Sequence, residues 1–145
     1  MAPGLTMRKA ACLLAALLLA GAAGASELVV IVSAKSPVTA LGAQQVAAIF
    51  LSETGRYPQG GEAVAVDQRL GSPIRNEFYS KVASRTPALM KEHWSKMIFT
   101  GRGQPPREVR SSAAVRKLVA ANPAMIGYIE PAALDASVRA VLVLN

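Results

Sequence analysis

Apolar and polar residues along the chain alternate between strand-like and helix-like patterns. Leu28-Val29-Val30-Ile31-Val32 is an unbroken apolar run rich in β-branched residues, the pattern of a strand covered on both faces. From Leu41 to Leu51, Val46, Ile49 and Phe50 are spaced for one face of a helix. Ala63 to Val66 reads as a second, short strand. From Ser72 to Ser84, Ile74, Phe78 and Val82 recur at every fourth position and Glu77 precedes Lys81 by four, which predicts a helix. Thr86-Pro87 opens another, with Met90, Trp94 and Ile98 as an apolar stripe that Met97 broadens, a spacing that fits burial in the core. A further helix runs from Ser112 to Ala121 and stops at Asn122-Pro123, because a residue before proline avoids the helical region. Ile126 to Ile129 is a third strand, Pro131 to Leu134 a single turn, and Val138 to Leu144 a last strand. The alternation predicts one α/β domain. Gly55 to Gly61 and Gly101 to Arg107, rich in glycine and proline, are its expected mobile loops.

The first 25 residues follow a different logic. Arg8 and Lys9 form a basic start, Cys12 to Ala20 an apolar run, and Ala23-Gly24-Ala25 an A-x-A cleavage site. Residues 1–25 are therefore expected to be a cleaved signal peptide, with the domain spanning 26–145. The expected location is periplasmic or secreted, without membrane insertion after cleavage, since the apolar run is too short for a comfortable span. Cleavage removes Cys12, the only cysteine, and with it any thiolate or disulfide chemistry. It also removes two of sixteen Lys and Arg and none of nine Asp and Glu, which leaves fourteen bases against nine acids, a charge of +5.

That basic excess suits an anion or an acidic surface. Arg102, Arg107, Arg110, Arg116 and Lys117 cluster with only Glu108 among them, which is also the pattern of a solvated loop and helix face. Aromatic residues are not interleaved with these charges, and together with export this argues against nucleic acid. Catalysis finds little support. His93 is the only histidine and sits beside Trp94 in a helical pattern, carboxylates are dispersed, and no nucleophile stands near a base. No metal site and no cofactor are expected.

The segment Val66-Asp67-Gln68-Arg69-Leu70-Gly71-Ser72-Pro73-Ile74-Arg75 carries the most chemistry. A short strand enters a turn and then a helix, with Ser72 placed to cap it, Pro73 at its first position and Arg75 in its first turn. Such a start presents unpaired N–H groups and a partial positive charge to an anion. An ordinary capped helix entry has the same sequence. Asp67 is placed either to accept a proton from a protonated oxyanion or to pair with Arg69.

Ile49-Phe50-Leu51, Gly55, Tyr57-Pro58-Gln59-Gly60, Gly71-Ser72 with Arg75 and Phe78, Trp94, Phe99-Thr100-Gly101 and Ile126-Gly127-Tyr128 occur in an order that resembles the phosphate ABC transporter substrate-binding proteins, and more closely their short exported relatives. The resemblance implies a type 2 periplasmic-binding-protein-like fold, here a single compact lobe with a central mixed sheet flanked by helices. It implies recognition of phosphate or another small oxyanion, as part of uptake through a membrane transporter. The family's anion loop commonly reads Gly-Ser-Gly-Thr with a basic residue three positions before it. Gly71 and Ser72 match, whereas Pro73, Ile74 and Gln68 depart from the pattern. Proline brings no N–H, so the cradle is thinner. The expected ligand set is Gly71, Ser72 and Arg75, with Gln68 and Ser36 as neutral donors, and Ser33 and Thr39 as weaker members of the loop after the first strand. The alternative is an envelope protein-interaction module on a truncated binding-protein fold that no longer transports a ligand.

Overall fold

The computed structural model describes residues 27–145, so the leader pattern at 1–25 lies outside the described residues. Five strands form one sheet: β1 (Leu28–Ser33), β2 (Val64–Gln68), β3 (Arg107–Val109), β4 (Met125–Ile129) and β5 (Val138–Leu144), in the order β3-β2-β4-β1-β5. β2 pairs parallel with β3 and β4, while β1 pairs antiparallel with both β4 and β5. Four strands thus point one way and β1 points the other, which makes the sheet mixed. Four helices pack on it: α1 (Ala43–Phe50), α2 (Pro73–Ala83), α3 (Pro87–Phe99) and α4 (Ser112–Ala121).

The period of two along each strand sorts the core into two layers. Leu28, Val30 and Val32 of β1 face the side occupied by Phe50, Phe78, Tyr79 and Trp94, whereas Val29 and Ile31 face Val115 and Val119 of α4. Every β1 residue is buried, as its unbroken apolar run requires. Phe78 stacks on Tyr128 with centroids 3.9 Å apart and meets Phe50 edge-on at 4.7 Å, joining α1 and α2 to β4. Gly127 has a packing reason: a Cβ there would run into Val115 Cγ1, so its absence lets α4 lie against β4.

Three expectations change. The loop expected through Arg107 ends in a strand, since Arg107–Val109 forms the β3 edge, a piece too short and too charged to show a period. β2 extends to Gln68, two residues beyond the expected end, because Asp67 and Gln68 find buried polar partners. The α3 stripe is buried only at Met90 and Trp94; Ile98 is 56% exposed and Phe99 91% exposed. No helix among the described residues is long and apolar enough to cross a membrane.

Candidate oxyanion site

Ligands of open α/β sheets gather beyond the carboxyl ends of the parallel strands. At that end β2 hands over to α2 through a turn in which Gly71 has φ +86°, a left-handed conformation that strains any residue with a Cβ. Ser72 caps α2, its Oγ accepting from Arg75 N–H at 3.4 Å. β3 hands over to α4 in the same manner, with Ser111 Oγ accepting from Ala114 N–H at 3.1 Å. The sheet order sets β2 between β3 and β4, so both helix starts border one cavity of about 580 Å³. Gln68, Ser72, Arg110, Ser111, Ser112 and Glu130 contribute to its lining.

The three serines share a useful polarity. Ser112 Oγ accepts from Glu130 N–H at 3.2 Å and from Gln68 Nε2 at 3.2 Å, while Ser72 and Ser111 accept from their helix amides. Each oxygen is engaged as an acceptor, which leaves its O–H to donate toward an anion. Among the amides that open α2, Pro73 has no N–H, Ser72 N–H goes to the Arg69 carbonyl and Arg75 N–H to Ser72 Oγ; Ile74 N–H remains. Arg110 is exposed and has no carboxylate partner among the described residues, whereas Arg116, on the rim, is held by Ala133 O at 2.9 Å and Asp135 at 3.3 Å. Among the described residues no group of three or more His, Cys, Asp or Glu is placed to hold a metal ion.

The other flank of the α2 start is closed by a buried polar network. Asp67 is fully buried and accepts from Tyr79 Oη at 2.6 Å, from Tyr128 Oη and from Gln68 N–H at 2.8 Å. Arg75 lies beside it, Nε 3.7 Å from Asp67 Oδ2 and Nη1 3.3 Å from Glu108 Oε2. Burial pushes the Asp67 carboxyl above the usual carboxylate range, opposed by the Arg75 charge and the hydrogen bonds it accepts. Tyr79 and Tyr128 are also pushed up, by burial first and then by Asp67.

The structure therefore distributes the expected ligand set over several places. Ser72 lines the cavity, and Gly71 shapes the turn beside it. Gln68 borders the cavity, but its Nε2 already donates to Tyr128 O at 3.0 Å and to Ser112 Oγ, so it ties β2 to β4. Arg75 is spent on Asp67 and Glu108, and Asp67 pairs with Arg75 rather than with Arg69. Ser36 follows the end of the antiparallel β1, which pairs with the beginning of β5, so it sits at the opposite end of the sheet from Ser72. There its Oγ accepts from Val38 N–H. The His93 ring lies against Trp94 and its Nε2 hydrogen-bonds the Leu51 carbonyl at 2.9 Å.

Sequence reasoning placed Arg110 only in the basic cluster and Ser112 only at the start of a helix, and it passed over Ser111 and Glu130. Ser111-Ser112 at the head of an amphipathic helix repeats the capping signal of Ser72, but only the strand order shows that the two starts meet.

Among solved structures, the chain is similar to a protein assigned as a phosphate ABC transporter substrate-binding protein from Clostridium perfringens, solved with bound phosphate. The TM-score is 0.64 at 23% identity, over 80% of this chain and 45% of that one. An ABC-type phosphate transport receptor from Vibrio cholerae matches at TM-score 0.63 and 20% identity, over 80% and 46%. The fold is that of the phosphate transporter binding proteins. PstS from Borrelia burgdorferi agrees, at TM-score 0.58 and 15% identity, over 83% and 47%. The chain spans a little under half the length of each of these structures. No protein-family profile matches the chain, and no curated protein matches it by sequence. The expected mixed sheet with flanking helices, in one compact α/β domain, is the architecture observed.

Proposed function

We propose that this chain is an exported, non-enzymatic binding module that takes phosphate or a related small oxyanion at the paired starts of α2 and α4. The observation that supports it most is the convergence of three serine hydroxyls and Arg110 on one cavity at the carboxyl ends of the strands, in a fold shared with a structure that holds phosphate. Ser72, Ser111 and Ser112 donate O–H groups, Ile74 offers a backbone N–H, and Arg110 supplies charge. Glu130 accepts the proton that phosphate retains near neutral pH and repels sulfate, which has none to offer. On this reading Arg110 replaces Arg75 as the cation of the expected set. Residues 26–145 act in the periplasm after loss of the 1–25 signal peptide, and a membrane transporter is the proposed partner.

Isothermal titration of the protein with phosphate and with sulfate tests this. Saturable binding of phosphate over sulfate is expected, weakened about tenfold in an Arg110→Gln, Ser72→Ala variant. A hundredfold excess of phosphate over its dissociation constant should add about 2.7 kcal/mol of stability. Absence of heat and of thermal stabilisation at millimolar phosphate would refute it.

One observation favours a protein-interaction role in the envelope instead: Phe99 is 91% exposed at the end of α3, with Arg102 and Arg107 exposed close behind it. An envelope partner captured by the protein and lost on Phe99→Ser with phosphate binding absent would support that role.

A further inference from the structure

A second recess, of about 610 Å³, lies between α2 and α3, apart from the serine-lined cavity. Leu70, Met90, Trp94 and Ile98 give it apolar walls. Its size falls within the range of small-molecule sites, about 300–1,000 Å³. Trp94 is only 7% exposed, and its Nε1 is the one buried side-chain polar atom without a hydrogen-bond partner among the described residues.

Besides Arg75, which Asp67 and Glu108 engage, two cations line the same recess. Arg85 lies in the link between α2 and α3, and Lys91 stands three residues before Trp94, a spacing that sets neighbours on one helix face. Neither has a carboxylate partner among the described residues. Glu108 also reaches the recess, but its carboxylate is occupied by Arg75 and by Leu70 N–H at 2.9 Å. An incoming anion is therefore favoured near Arg85 and Lys91 and disfavoured near Glu108.

We infer that this groove binds a small amphiphilic carboxylate, its apolar body against Met90, Trp94 and Ile98 and its carboxylate directed to Arg85 and Lys91. An inorganic oxyanion leaves the apolar walls of Leu70, Met90, Trp94 and Ile98 uncovered. A neutral apolar molecule leaves Arg85 and Lys91 unanswered.

Trp94 is the only tryptophan in the chain, so its fluorescence reports on the groove directly. The protein is titrated with decanoate, below its micellar range, and with decanol as the uncharged equivalent. A saturable change with one decanoate per chain is expected, with decanol about tenfold weaker. Arg85→Gln, Lys91→Gln should bring decanoate close to decanol, and Trp94→Phe, followed by calorimetry, should weaken decanoate several-fold. Phosphate should leave Trp94 emission unchanged, which separates this groove from the serine-lined cavity. The inference is overturned by no saturable change, by several decanoates per chain, by decanol binding as tightly as decanoate, or by undiminished affinity in the double variant.

Discussion

On one flank of the α2 start, Asp67, Arg75, Tyr79 and Tyr128 lie buried and bonded to one another; on the other, Ser72, Ser111, Ser112 and Arg110 border a cavity and keep donors unused. Asp67 and Gln68 are sequence neighbours, but the pleat sends the first to the Tyr79 side and the second to the α4 side. The closed flank holds the helix in place. The open flank offers the hydroxyl hydrogens and the positive helix ends to solvent. A charged residue in an anion-binding position of the sequence is not thereby an anion ligand: Arg75 is neutralised by Asp67 and Glu108 before any ligand arrives.

The most severe way to break the closed flank is Asp67→Ala, which takes the acceptor from two buried phenols and leaves the buried Arg75 guanidinium with Glu108 as its remaining carboxylate. A loss of about 3–5 kcal/mol in urea denaturation is expected. Asp67→Asn keeps an acceptor and should cost less. Because the folded-state pKa of Asp67 is raised, its contribution is fully present below the ordinary carboxylate pKa of about 3.9 and is lost as pH rises through the raised value. The deficit of the Asn variant should therefore be greatest in acid and narrow as pH increases.

Alkali tests the same flank through its phenols. All three tyrosines are held neutral in the fold; burial pushes Tyr57 up to about 12 and moves Tyr79 and Tyr128 higher still. Raised folded-state values mean that stability is retained below the usual phenol pKa of about 10 and declines as pH climbs through the folded values. Phenolate absorbance should accordingly be missing near pH 10 and rise together with the loss of circular dichroism, around or above pH 12. Phenolate appearing at the ordinary pH in folded protein would show that the network is open to water.

Smaller effects belong to the open flank. Ser72→Ala removes a helix cap and should cost about 1 kcal/mol of stability as well as phosphate affinity. Arg110→Gln should change stability by no more than about 0.5 kcal/mol while still weakening phosphate. The reverse pattern, a large stability loss at Arg110 with unchanged phosphate binding, would make that residue structural and dissolve the contrast.

Much of the fold was readable in the chain because burial imposes a period. β1, β5, α2 and α4 appear at or within a residue of their expected limits, each carrying an apolar pattern or a Ser cap. β3 was not readable, since three residues, Arg107–Val109, hold no period and are kept in place by β2. At the site, Gly71 and Ser72 were legible from local turn and capping chemistry. The neutralisation of Arg75 depends on Glu108, thirty-odd residues away on the neighbouring strand, and the pairing of Ser72 with Ser111 and Ser112 depends on strand order. Neither is a local property.

The most direct measurement is a phosphate titration followed by backbone amide resonances. Saturable shifts are expected at Ile74, Ser112 and Ala113, the starts of α2 and α4, with Arg75 Nε and the amides around Ser36 unmoved. Shifts centred on Arg75 or Ser36, or no shifts at millimolar phosphate, would contradict it.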